Sequence, residues 1–144
     1  MATVIDVAKY ILSKMGSMTT MKLQKLCYYA QAWNLVWEEV PLFDEDFEAW
    51  ANGPVCPVLY GKHKGIFKIS EDMFNDGSLD EITDEMAENI DLVLDFYGDK
   101  EPFWLSNLTH QEQPWVMARD GYGIGESCSV KISKESMQVY YSAL

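Results

Sequence analysis

Two histidines, three cysteines and a glycine-rich loop are where chemistry would reside in this chain. His110 lies in LTHQEQPW with Glu112 two residues on, the spacing of a catalytic His–Glu pair or of two metal ligands. A metal site needs three or four ligands in a recognisable arrangement, and no third accompanies this pair. The plain reading of His110 is a ring hydrogen-bonded at a helix–helix junction. Gly121, Gly123 and Gly125 invite a phosphate-loop reading, but no Lys-Ser/Thr follows them. Cys27, Cys56 and Cys128 are odd in number and widely spaced, with no CxxC pair, so neither a zinc site nor a thioredoxin-like motif is indicated. Cys27 reads as a small apolar core residue, whereas Cys56, at a turn between Val55 and Pro57, could be exposed. No GxSxG nucleophile motif is present. These residues assign no catalytic group, no metal site and no cofactor, and the chain is not read as an enzyme.

Charge and aromatics carry more. Asp84, Glu88, Asp91 and Asp95 fall within about 60° of one another on a helical wheel. Like charges one turn apart repel by a few tenths of a kcal/mol each, so this face is slightly self-repelling. It reads first as a solvated face, then as an electrostatic docking stripe for a basic partner, and least as mimicry of a DNA backbone. Trp50, Tyr60, Trp104 and Trp115 sit in or beside loops and short helices, as core and corner packing or as interface anchors.

The elements that position these residues follow from apolar spacing. Val4, Val7, Ala8, Ile11, Leu12 and Met15 predict a helix over 4–15, capped by Thr3 with Asp6 and ended by Gly16. A second helix over about 20–37 is apolar on two sides, with Leu23, Leu26, Cys27, Ala30, Trp33 and Trp37 on one face and Met21, Tyr28, Ala32 and Leu35 on the other. A helix of that kind is buried on two sides and is expected to be the centre of the fold. FEAW at 47–50 suits a short strand, Asn52-Gly53-Pro54 a turn, and IFKI at 66–69 a second strand that pairs with 47–50. Thr83 caps a helix over 84–97 whose buried face is Met86, Ala87, Ile90, Val93, Leu94 and Tyr97. Pro57, Pro102 and Pro114 open short helices, and Ser133 caps a last helix running to near Leu144. The fold class is therefore mainly α: a compact bundle of about five to six helices around a buried central helix, with a small two-stranded ribbon.

The chain's 144 residues suit one domain over 1–144, and 48% apolar with 24% charged residues is ordinary globular composition. Eleven Lys and Arg stand against 23 Asp and Glu, for a net charge of −12. The imbalance is confined to residues 41–101, with four basic groups against sixteen acidic. Phosphate backbones and anionic membranes attract Lys and Arg, so direct nucleic-acid binding is not expected and a basic protein partner fits better. No signal peptide or membrane-spanning run is read, and the cysteine usage suits a reduced, cytoplasmic location.

Three blocks carry a resemblance: MKLQKLCYYAQAW at 21–33, LFDEDFEAWANGPVCPVLY at 42–60 and LSNLTHQEQPWVMAR at 105–119. In order, spacing and wording they resemble the Panacea domain of SocA-like antitoxins, often described as phage-associated proteins. Cys27, Ala32 and Asn34 depart from the family's frequent Leu, Gly and His, changes on the scale of packing. The resemblance implies a mostly helical domain that neutralises a cognate toxin, encoded by a neighbouring gene, through direct protein–protein binding in the bacterial cytoplasm. Its alternatives are an adaptor delivering the bound toxin to a ClpXP-type protease, or a phage-encoded inhibitor of a host protein. The residues expected to touch the partner are Trp50, Asn52, Gly53, Pro54, Val55, Tyr60, His110, Glu112 and Trp115, with Asp84, Glu88, Asp91 and Asp95 as the electrostatic docking stripe.

Overall fold

The structure, a computed structural model, describes residues 1–144. In chain order the elements are α1 (Val4–Met15), β1 (Met18–Thr19), α2 (Thr20–Glu38), β2 (Phe47–Trp50), β3 (Gly53–Val55), α3 (Pro57–His63), β4 (Lys68–Ile69), α4 (Asp84–Tyr97), α5 (Pro102–Thr109), α6 (Gln113–Ala118), β5 (Lys131–Ile132) and α7 (Lys134–Ser142). Seven helices form, rather than five to six, and the fold is mainly α as expected. The start of α1 is set by the anticipated capping box: Asp6 N donates to Thr3 Oγ1 at 3.3 Å and Thr3 N to Asp6 Oδ2 at 2.9 Å. Ser133 caps α7 by accepting from Ser136 N, and the flanking Ile132 and Met137 are both buried.

Helix α2 is the axis. From Leu23 to Ala32 every residue is buried, and Asn34 and Leu35 extend the run. It packs against α1, α4, α5, α7 and β3. Burial of an entire helix circumference also buries its polar side chains, and each must find a partner inside. Gln31 Nε2 donates to Phe43 O at 2.7 Å, and its Oε1 accepts from Leu42 N at 2.7 Å. Gln24 does the same for Cys56, accepting from its N at 2.8 Å and donating to its O at 3.3 Å. Asn34 Nδ2 donates to Val40 O at 3.0 Å. Each amide thus fixes a stretch of irregular chain between α2 and α3. Cys56 is consequently fully buried, not open to solvent, because Gln24 holds its backbone against α2.

The ribbon is where expectation and structure part. The strand at 47–50 forms, but its partners are β3 and β5, giving the order β3–β2–β5. Trp50 pairs with Gly53, Ala49 with Pro54 and Glu48 with Val55, so Asn52-Gly53-Pro54 is half turn and half strand. Pro54 lacks an N–H and is tolerated because β3 is an edge strand. Residues 68–69 pair instead with 18–19 at the start of α2. The chain after α3 returns there, where Thr20 N donates to Phe67 O at 3.0 Å.

The bonding by Gln31 yields a stability prediction. Gln31→Met fills similar space but orphans Leu42 N and Phe43 O, and should lower stability by about 2–4 kcal/mol in urea unfolding. Met21→Gln, on the exposed side of the same helix, should change it by less than about 0.5 kcal/mol. Equal small effects would refute the bonding role.

Candidate functional site

The β2–β3 hairpin, the first turns of α2 and the end of α3 enclose a cleft of about 630 Å3. Trp50, Asn52, Val55 and Tyr60 line it, joined by Gln24, Lys25 and His63. The Trp50 and Tyr60 rings meet edge to face at 4.9 Å, and Tyr60 meets His63 at 5.3 Å. Asn52 is exposed at the turn, and Trp50 and Tyr60 are half-buried. Behind the hairpin, α5 and α6 support it. Ser106 Oγ donates to Asn52 O, and Trp115 Nε1 donates to Trp50 O at 2.9 Å. Arg119, itself buried, donates to Ala49 O at 2.8 Å and to Gly123 O and Glu126 O, tying the 120–127 loop to β2.

Lys25 is the unusual group. It lines the cleft, is 1% exposed and forms no ion pair. Its one acceptor is the Pro54 carbonyl at 3.3 Å. Removal from water without a counter-charge disfavours the ammonium and lowers its pKa from 10.5 to about 7. Gly53 makes this packing feasible: its φ is +120°, and a Cβ there would lie 2.5 Å from Lys25 Cε and 3.0 Å from Thr109 Oγ1. His63 is also held below its ordinary value, chiefly by burial and then by the Lys25 charge. Its Nε2 lies 2.9 Å from Gln24 Nε2. Gln24 is the donor, so the His63 ring is neutral with its proton on Nδ1.

The sequence-predicted residues divide into three groups. Trp50, Asn52, Val55 and Tyr60 stand together at the cleft, whereas Gly53 and Pro54 of the same hairpin are buried and do not line it. His110 and Trp115 lie behind it, their rings stacked at 4.1 Å. His110 Nε2 is buried without a hydrogen-bond partner, and burial, then the charges of Lys25 and Arg119, push the ring's pKa below its ordinary value. Glu112 points elsewhere. Its Oε1 accepts from Tyr29 and from Tyr141, each at 2.7 Å, and Tyr141 also bonds Tyr28 at 3.2 Å. This carboxyl, raised by burial against the pull of its two hydroxyl donors, fastens α6 to α2 and α7 in the interior. His110 and Glu112 therefore do not form a bonded pair. On α4, Asp91 accepts from Tyr10 at 2.8 Å and lies 4.0 Å from Lys14, whereas Asp84, Glu88 and Asp95 form no ion pair. Lys25, Gln24 and His63 are the site residues that the sequence reading missed. A signal existed for Lys25: on the helical wheel it falls about 20° beyond Ala32, at the border of the second apolar face.

The domain is mainly helical, with an aromatic-lined cleft built on a hairpin and an acidic face on the separate helix α4. The family described as antitoxin SocA-like, Panacea domain, matches residues 23–116, from α2 through the hairpin and cleft to α6. The chain belongs to this SocA-like antitoxin family. No curated protein and no solved structure matches it.

Two measurements test the site. The Lys25 ammonium is penalised in full below about pH 7. Between there and about pH 10 the unfolded chain binds a proton that the folded chain does not, so stability rises with pH over that window. Lys25→Met should be more stable than the parent by about 2–4 kcal/mol at pH 6.5, the gap closing toward pH 10 in urea unfolding. A gap independent of pH would mean that the amine is not depressed. Glu112→Ala should cost about 2–4 kcal/mol, because two buried tyrosine hydroxyls lose their acceptor. A change below about 0.5 kcal/mol would remove Glu112 from the fold's interior bonding.

Proposed function

We propose that this chain is the antitoxin of a toxin–antitoxin pair and neutralises its cognate toxin by direct protein–protein binding. Family membership across 23–116 is the observation that carries the reading. The contact elements are the hairpin turn from Trp50 to Val55 and Tyr60, with the His110–Trp115 segment bracing the turn from behind. Their geometry supports this: two half-exposed aromatics and an exposed Asn52 rim a cleft that fixed backbone bonds hold open. A preformed, rigid aromatic surface binds with little ordering cost. Masking of the toxin's active or target-binding surface follows from such contact. The acidic α4 face steers a basic toxin and raises its rate of association. The pair acts in the bacterial cytoplasm.

Co-expression tests the reading. The product of the neighbouring gene should arrest growth alone and be relieved by this chain. A stable complex should be recovered from the relieved cells. Trp50→Ala and Tyr60→Ala should each weaken the complex by about tenfold or more. Toxicity that the chain fails to relieve would sink the assignment. Relief with toxin that disappears, and reappears when a ClpXP-type protease is deleted, would replace masking by delivery to the protease.

A further inference from the structure

The far end of α2 carries a second surface that neither the cleft nor the hairpin uses. Trp33 and Trp37 of α2, Leu92 and Phe96 of α4, and Trp104 and Leu108 of α5 line a groove of about 500 Å3. Leu92 is 55% exposed, Phe96 61%, Trp37 42% and Trp104 43%. Large apolar side chains gathered at one place on the surface mark an interaction site rather than chance exposure. The rings are rigidly set: Trp33 and Trp37 lie 5.6 Å apart, Trp33 Nε1 donates to Tyr97 OH at 3.0 Å, and Phe96 meets Tyr97 edge to face at 4.7 Å.

The border is acidic. Leu92 has Glu88 one turn before it and Asp95 three residues after it on α4. Glu38 closes α2 beside Trp37, and it crowds Glu85 of α4 enough to raise that carboxyl above its ordinary value. Lys100, the basic residue on this rim, sits 5.1 Å over the Trp104 ring and 6.0 Å over Phe96. The groove's aromatic faces thus already accept a cation. Its walls are helices completed by Glu112 and Leu144, with no strand among them, so no strand edge is available for an extended peptide to extend.

We propose that the α2–α4–α5 groove docks a basic amphipathic helix of the toxin, with apolar anchors one turn apart against Leu92, Phe96 and Trp104 and Lys or Arg facing Glu88, Asp95 and Glu38. The identity of the partner as the toxin rests on the antitoxin reading above; the groove and its chemistry do not. A second copy of this chain is the rival occupant, and it would set two acidic rims face to face.

The test selects helical peptides from a displayed library on the folded protein, with charged positions left free. Selected peptides should carry apolar residues at i, i+4 and i+7 with Lys or Arg beside them. Their binding should weaken about 30-fold with Leu92→Ser plus Phe96→Ser. It should weaken about tenfold with Glu88→Lys plus Asp95→Lys, an effect that high salt erases. These positions are exposed, and unchanged circular dichroism and melting temperature confirm that the variants fold. No enrichment, enrichment without basic residues, or binding indifferent to the Leu92 and Phe96 changes would overturn the proposal. So would a concentration-dependent dimer that Phe96→Ser abolishes. In the co-expression assay, full toxin relief by the Leu92/Phe96 variant leaves the antitoxin reading standing and removes the groove from it. Groove-dependent peptide binding without any neutralised toxin does the reverse.

Discussion

Enclosure of α2 on all sides is the constraint from which most of the molecule follows. A helix satisfies its own backbone but not its side chains, and α2 carries Gln24, Lys25, Gln31 and Asn34 into the interior. Two of these amides bond both the N–H and the C=O side of neighbouring irregular backbone, at Cys56 and across Leu42–Phe43. The segment between α2 and α3 contains only seven strand residues, yet its backbone groups are met by these side chains instead. An unmet buried amide or carbonyl costs about 1–3 kcal/mol, so the bonds fix the path of that segment as firmly as a sheet would. The hairpin stands where it does because α2 holds the chain on both sides of it.

The same constraint leaves Lys25 stranded. Glutamine and asparagine can be matched by backbone, but an ammonium with one carbonyl acceptor cannot be matched as a charge. The chain has 23 carboxylates and places none within ion-pair distance of this amine. Five of its carboxylates, Asp84, Glu85, Glu88, Asp91 and Asp95, lie on α4, and Glu85 reaches Glu38 at the other end of α2. Lys25 and Trp37 are twelve positions apart on one helix, a separation of about 18 Å. The cleft thus holds a buried amine whose charge is disfavoured, while the groove has an acidic border.

Periodicity made the helices legible: α1 and α4 begin and end at the residues their caps and apolar spacing indicate. It failed for the sheet, for reasons of length and composition. β3 is Gly-Pro-Val, poor in strand-forming residues, and β5 is two residues long and lies some eighty positions from its partner. Nothing local in Lys131-Ile132 specifies pairing with Phe47-Glu48; that contact is imposed by where α6 and α7 pack. The cleft was half legible. Trp50, Asn52, Val55 and Tyr60 were found through the wording of the hairpin block, whereas His63 joins them only because α3 folds back against α2. The groove was not legible, because the apolar pattern of α4 assigns Met86 through Tyr97 to the core face. Leu92 and Phe96 fall outside that face, as scattered exposed residues do on any surface helix. Only the arrival of Trp37 and Trp104 from other elements turns them into a patch.

Glu112 shows why a family signature and a binding surface need not coincide. It lies in the third signature block, yet its carboxyl faces Tyr29 and Tyr141 in the core. Arg119, at the end of the same block, is spent on three backbone carbonyls. Residues with such duties are costly to change, because their partners are buried and would be orphaned. The side chains of Leu92, Phe96 and Asn52 have no such duty: they are exposed, and substitution there shifts stability by only about 0.5 kcal/mol. Physical freedom to alter a partner therefore lies on the groove and the turn, while the bonded interior that presents them stays fixed.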